Sequence, residues 1–288
     1  SSKSGSADCL EQLGININIT PEKSEEVLNK AGICFMFAQG YHSSMKYVGP
    51  VRKEIGIRNI FNVLGPLTNP AGADLQVTGV YSEALVEPIA QVFSNLGVKK
   101  GYVFYGMDGM DEVTLTTTTK VCEIDNGKFN TFILNPEDYG LKLCAPEDLA
   151  GGDGKESAEI TKEILSGEIK DAKRDIVVLN AALGLCTGGK ADSIQDGIKL
   201  ANEIGDYYVN ESPKQTILLP HALEVLNYLH EKYKLHIITN GFEEVQHVKL
   251  SESKIGHFFD QLIFSEKVGV KKPHPLIFKK ELKNSGAT

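Results

Sequence analysis

The sequence predicts an α/β chain of more than one unit, and three observations carry that expectation. Short continuous apolar runs, Ile33-Cys34-Phe35-Met36-Phe37-Ala38 and Tyr102-Val103-Phe104-Tyr105, have the length and composition of buried strands. Segments with helical spacing lie between such runs, as at Leu85, Ile89, Val92, Phe93 and Leu96, which fall on one helix face. The length, 288 residues, is enough for two units that each bury a core. Strands alternating with helices imply the α/β class.

In chain order, Ala7 to Leu13 reads as a helix, with Ser6 as N-cap and Asp8 in the first turn. Thr20 followed by Pro21 marks the next start, and Val27, Leu28 and Ala31 keep helical spacing. The run from Ile33 to Ala38 is expected as a buried strand of a parallel sheet. Ile60-Phe61-Asn62-Val63-Leu64 is strand-like and closed by the rigid turn Gly65-Pro66. Glu83 to Leu96 is a helix, Tyr102 to Tyr105 a strand ended by Gly106, and Thr131 to Leu134 an edge element. Helices follow over Ser157 to Leu165, Asp175 to Leu185 and Ser193 to Ile204, with Gly188 and Gly189 stopping the second.

The composition changes near Tyr208, and the polar Asn210-Glu211-Ser212-Pro213 reads as a linker. That divides the chain into a first domain, 1–208, and a second, 209–288. The second has helix Pro220 to Tyr233, strand Leu235 to Asn240, helix Phe242 to Leu250, strand Phe259 to Phe264 and helix Pro275 to Leu282. These are too few strands for a complete doubly wound sheet.

A formal net charge of -8 argues against non-specific nucleic-acid binding, which needs a basic surface. No apolar run approaches the roughly 20 residues that span a bilayer, and no signal-peptide pattern opens the chain. The expected compartment is the cytoplasm, with no membrane partner. Cys9, Cys34, Cys122, Cys144 and Cys186 are scattered without a C-x-x-C pair, which reads as free thiols rather than a disulfide frame or zinc site.

Two loops hold the residues with chemistry. Ser1-Ser2-Lys3-Ser4-Gly5-Ser6-Ala7-Asp8 brings hydroxyls and backbone N–H groups to a helix start, which suits a phosphate; a flexible Ser/Gly tag has a similar composition. Gly106-Met107-Asp108-Gly109-Met110-Asp111-Glu112 follows a strand. On a turn the adjacent carboxylates of Asp111 and Glu112 can converge, as they could not on a strand. Such a pair suits Mg2+, which takes one or two protein carboxylates beside phosphate oxygens and water; a solvated acidic turn is the plainer alternative. Lys46, Arg52, Lys53 and Arg58 form a basic island near His42, either a solvated face or a site where an Arg grips a carboxylate or phosphate. Together the loops suggest an enzyme for a magnesium-complexed phosphorylated substrate.

The motifs also match a family. The Ser1–Asp8 loop, Phe37-Ala38-Gln39 leading to Tyr41-His42-Ser43-Ser44-Met45-Lys46, Val51-Arg52-Lys53-Glu54, Asn62-Val63-Leu64-Gly65-Pro66-Leu67-Thr68-Asn69-Pro70 and Gly109-Met110-Asp111-Glu112 all resemble the anthranilate phosphoribosyltransferases, from Ser1 to about Asp206. The resemblance implies the large α/β domain of the nucleoside phosphorylase and phosphoribosyltransferase type, incomplete here. It also implies transfer of a phosphoribosyl group from phosphoribosyl pyrophosphate to anthranilate, in tryptophan biosynthesis, with Mg2+. By resemblance Ser1, Ser2 and Ser6 bind the diphosphate, Asp111 and Glu112 the magnesium, Arg52 the carboxylate of anthranilate, and His42 lines the anthranilate channel. No catalytic acid or base is implied. The family's Gly-Thr-Gly-Gly-Asp, Asn-x-Ser-Thr and Lys-His-Gly-Asn segments are expected upstream of Ser1, as is the helical domain through which members pair, so the number of subunits stays open. A nucleoside phosphorylase of related architecture is the alternative enzyme, and a ligand-binding fragment the non-catalytic one.

The second domain resembles a different family, the haloacid-dehalogenase-like phosphatases, and implies a partial Rossmann-like segment. Ile237-Ile238-Thr239-Asn240-Gly241 resembles the phosphate-binding threonine motif, and Gly269-Val270-Lys271-Lys272-Pro273-His274-Pro275 the motif with a charge-balancing Lys272. The nucleophilic Asp-x-Asp motif is expected ahead of this segment, and no Asp stands between Tyr208 and Thr239. Thr239, Asn240 and Lys272 therefore read as a remnant without phosphatase activity, and a working phosphatase is the alternative if a longer gene product carries an Asp-x-Asp segment.

Overall fold

A computed structural model describes residues 5–41, 47, 54, 61–241 and 243–285. The chain divides into two compact units, Ser1–Gly205 and Asp206–Thr288.

The first unit is built on a four-stranded sheet of order β1-β2-β3-β4: β1 Leu75–Gly79, β2 Lys100–Gly106, β3 Thr119–Asp125 and β4 Lys128–Leu134. Among the described strands β1 and β2 run parallel, while β2, β3 and β4 are antiparallel neighbours. The sheet is therefore mixed. Its helices are α1 Ser6–Gln12, α2 Pro21–Ala31, α3 Ala38–Tyr41, α4 Phe61–Leu67, α5 Val86–Asn95, α6 Gly154–Leu165, α7 Ala172–Thr187 and α8 Ile194–Glu211. The last of these runs past the division between the units.

Period-two alternation sends successive side chains of the sheet to opposite faces. Tyr102, Phe104 and Val121 enter one core with Leu179, Ala182 and Leu183 of α7 and Ile194 and Ile198 of α8. Val103, Cys122 and Ile124 enter the other, against Val86, Ile89, Ala90 and Phe93 of α5. Helices thus cover both faces, as a sheet apolar on both sides requires. Burial at about 25 cal/mol per Å² of apolar surface is the main force holding these layers.

Several sequence expectations are corrected. The run from Ile33 to Phe37 is not a strand, although Phe35 and Phe37 stack with ring centroids 6.4 Å apart. The stretch after Ile60 is helix α4 with Pro66 inside it, in place of the expected strand and turn. Asn210-Glu211-Ser212-Pro213 is not irregular: α8 extends through Glu211 and a 3-10 turn, Ser212–Lys214, follows. Strands β1 and β3 have no counterpart among the elements that the sequence predicts. Ser6 does not cap α1. Gly5 holds the N-cap position, and its N–H donates to the Asp8 carboxylate at 2.7 Å.

The second unit contains α9 Ala222–His230, β5 His236–Thr239, α10 Glu243–Glu252, β6 Gln261–Phe264, α11 Ser265–Val268 and α12 Pro275–Ser285. β5 and β6 pair in parallel as a two-stranded sheet, and Leu250, Phe258, Ile263, Phe264 and Ile277 are the buried apolar residues among those described. Ile217 and Leu219 are 91% and 81% exposed, and no residue of α9 is buried. The unit encloses little core for its length. Among the described residues no helix is long and apolar enough to cross a membrane.

Candidate functional site

The Asp111-Glu112 turn lies in the connection between β2 and β3, and its shape is set by contacts that leave almost no freedom. Gly106 ends β2; a Cβ there would lie 2.6 Å from Asp108 Oδ1 and 3.1 Å from the Glu112 carbonyl oxygen. The Gly106 N–H donates to the Met110 carbonyl at 2.9 Å, and Gly109, at φ 96°, donates to the Gly106 carbonyl at 2.8 Å. Only glycine adopts that φ without strain. Gly79, the last residue of β1, gives the turn room on another side: a Cβ on it would stand 1.7 Å from the Asp111 carbonyl oxygen.

Asp108, in sequence one more charge beside the pair, has a structural task. Its carboxylate accepts from the hydroxyls of Thr114 at 2.6 Å and Thr116 at 2.5 Å and from the Met110 N–H at 3.0 Å. Burial pushes its pKa up, but the Thr114 and Thr116 hydroxyls and the backbone N–H together outweigh this and hold it below the ordinary value. The Thr114 N–H donates to Thr119 Oγ1 at 3.1 Å, and both threonines are fully buried. Val113 is clasped by Asn180 of α7, whose Oδ1 accepts from the Val113 N–H at 3.0 Å and whose Nδ2 donates to the Val113 carbonyl at 2.8 Å.

Asp111 and Glu112 emerge exposed from this frame. Protein atoms around the Glu112 carboxyl nevertheless raise its pKa, and the charge of Asp111 raises it further. Two hard carboxylates repelling each other on a rigid turn fit Mg2+, which needs one or two such ligands. Among the described residues no three His, Cys, Asp or Glu could close round a metal.

Of the other expected site residues, Ser6 is exposed and opens α1. This helix packs on α6: Cys9 Sγ lies 3.7 Å from Thr161 Oγ1, and a Cβ on Gly154 would stand 3.1 Å from Asp8 Cβ. An open cavity of about 600 Å³ at the start of α6, lined by Gly151, Gly152, Asp153, Lys155 and Glu156, includes neither Asp111 nor Glu112. Ser1, Ser2, His42 and Arg52 lie outside the described residues, as do Lys46, Lys53 and Arg58.

In the second unit Thr239, Asn240 and the Lys272 backbone lie close together. Asn240 Oδ1 accepts from the Lys272 N–H at 2.6 Å, its Nδ2 donates to the Lys272 carbonyl at 3.2 Å, and Thr239 Oγ1 accepts from the Gly241 N–H at 3.0 Å. The carboxamide thus ties the strand end to the loop that carries Lys272.

Sequence reasoning missed Asn180, Thr114, Thr116, Thr119 and Gly79. Asn180 did leave a signal, as the one amide in the run Val177-Val178-Leu179-Asn180-Ala181-Ala182-Leu183. The threonines and Gly79 look ordinary until the loop is folded over them.

Much of the chain is similar to known proteins. A family model described as haloacid dehalogenase-like hydrolase matches residues 179–288. An anthranilate phosphoribosyltransferase of Methanobrevibacter smithii is 54% identical over 206 residues, 72% of this chain and 61% of that protein. The corresponding protein of Ruminiclostridium cellulolyticum is 55% identical, over 72% of this chain and 60% of its own length. Among solved structures, the anthranilate phosphoribosyltransferase of Thermus thermophilus superposes with a TM-score of 0.66 at 40% identity, over 72% of this chain and 63% of that one. The Saccharomyces cerevisiae enzyme in complex with phosphoribosyl pyrophosphate and Mg gives 0.66 at 28% identity, over 73% of this chain and 60% of that one. The chain spans about three fifths of the length of these relatives. A family model described as glycosyl transferase family, a/b domain, matches residues 1–206, and by that match the chain belongs to this glycosyl transferase family.

Proposed function

We propose that this chain transfers the phosphoribosyl group of phosphoribosyl pyrophosphate to anthranilate, giving N-(5-phosphoribosyl)anthranilate and pyrophosphate, as a cytoplasmic step of tryptophan biosynthesis. The observation that carries the reading is the Asp111-Glu112 turn, a rigid dicarboxylate able to share Mg2+ with a diphosphate. The identity to anthranilate phosphoribosyltransferases across the same stretch supports it. In this reading Asp111 and Glu112 hold the cation, Ser1, Ser2 and Ser6 hold the diphosphate, Arg52 grips the carboxylate of anthranilate, and His42 lines its channel.

Mg2+, when bound, supplies neutralisation of charge on the departing pyrophosphate, a contribution of several kcal/mol. The chain's own task is to fix both substrates so that the anthranilate amine faces C1 of the ribose, opposite the leaving group. Such alignment supplies up to about 7–11 kcal/mol of a barrier. The aromatic amine attacks as the C1–O bond breaks and then loses its proton, so no strong base is assigned. In this reading residues 1–208 form the transferase domain. Residues 209–288 form a second domain in which Thr239, Asn240 and Lys272 persist as a phosphate-binding remnant without hydrolysis.

The test follows anthranilate fluorescence on the purified chain with phosphoribosyl pyrophosphate and Mg2+. Expected is a Mg2+-dependent loss of fluorescence that slows at least about 100-fold in Asp111→Asn. A folded chain that leaves the fluorescence unchanged overturns the activity and makes this chain an inactive fragment of its family.

A further inference from the structure

We infer that Asn180 is a positioning residue for the Asp111-Glu112 pair, which it holds through the backbone of Val113. The inference rests on the magnesium role proposed above for that pair. Among the described residues no strand pairs with Val113 within the connection, since β2 ends at Gly106 and β3 begins at Thr119. Val113 is nonetheless fully buried, and buried backbone groups need partners. A single side chain from α7, 67 residues away in sequence, supplies both, accepting from its N–H at 3.0 Å and donating to its carbonyl at 2.8 Å.

The second Nδ2 hydrogen of Asn180 donates to the Ile176 carbonyl at 2.9 Å, one turn back in α7. Both donors and the oxygen are thus engaged, and turning the amide over would break this set. The neighbours of Glu112 are therefore pinned on either side of it in sequence: Asp111 by its carbonyl against Gly79, Val113 by Asn180. An apolar residue at 180 would continue the helix's apolar run and favour the core. A carboxamide in that place serves the loop instead. It acts on the cation through Val113 and touches neither cation nor substrate.

The experiment titrates the whole chain with Mn2+, alone and with inorganic pyrophosphate, and reads free Mn2+ by electron paramagnetic resonance. Asn180→Ala is expected to weaken Mn2+ binding about 10–100-fold, the usual loss when a group behind a metal ligand is removed. Asp111→Asn is the control for the site. Asn202→Ala is the control for loosened packing: it removes a comparable carboxamide, which accepts from Arg174 Nη1 at 2.6 Å and donates to the Ile198 carbonyl at 2.9 Å, and is expected to leave affinity within about twofold. Asn180→Ser replaces the alanine variant if that one does not fold. Binding that responds to Asp111→Asn but not to the Asn180 variants overturns the inference alone. An equal loss in Asn202→Ala also overturns it, because general loosening then accounts for the effect. Binding indifferent to Asp111→Asn overturns the magnesium reading, and the inference falls with it.

Discussion

The residues around the dicarboxylate turn divide their tasks by what each carboxylate touches. Asp111 and Glu112 are exposed and repel each other, whereas Asp108 is committed to two threonine hydroxyls and a backbone N–H. Those donors outweigh burial and lower the folded-state pKa of Asp108 from its reference of 3.8. A carboxyl depressed in the folded state adds stability that is present above the unfolded value and lost as pH falls through the folded one. Urea midpoints measured from about pH 6 down to about pH 3 should therefore fall less in Asp108→Asn than in the wild type. Equal acid sensitivity of the two proteins would show that this carboxylate does not tie the loop. Asp108 and Asp111 cannot be told apart by residue type, and only their neighbours separate the strut from the candidate ligand.

At the scale of elements, the end of β1 and the connection after β2 share one space. Gly79 closes β1 where the Asp111 backbone passes, so a methyl group there must displace strand or turn. Gly79→Ala is expected to cost about 1–3 kcal/mol, as overpacking of a filled interior does, and to weaken Mn2+ binding through the displaced turn. A thermal midpoint and Mn2+ affinity both equal to wild type would mean that the turn lies elsewhere in solution. Helices such as α5 and α7 are legible as helices from periodicity, but the buried face of α5 is Val86, Ile89, Ala90 and Phe93, while Val92 and Leu96 of the expected stripe are exposed. β1 is not legible, because Leu75-Gln76-Val77-Thr78-Gly79 is short and carries Leu75 exposed at its edge. The apolar run at Ile33 misleads for the opposite reason: composition favours a strand, but pairing needs a neighbour at the right register, and periodicity cannot supply one.

At the scale of the molecule, two compact units share a chain, and two different family models match it with an overlap over residues 179–206. The second unit holds Asn240 on the Lys272 backbone, which fixes the end of β5 against the loop that carries Lys272. It has no Asp between Tyr208 and Thr239 to serve as nucleophile, and phosphoryl transfer by this route needs one. With p-nitrophenyl phosphate and Mg2+ the chain should release no p-nitrophenol above a blank. Release that disappears in Lys272→Ala would overturn the reading of an inactive remnant. For the first unit, identity carried further than physics: the Ser1–Asp8 and Asp111-Glu112 strings mark a family that composition and charge could not.

The sequence by itself determined the α/β class, the presence of the principal helices, the family, and the candidate carboxylates Asp111 and Glu112, because periodicity and short motifs are local properties of a chain. The tertiary structure decided which groups hold that pair in place. Asn180 meets Val113 across 67 residues, and Gly79 meets Asp111 across a strand crossover. Such meetings depend on how α7 and β1 pack on the sheet, and contacts between segments so distant in sequence leave no periodic trace in either segment.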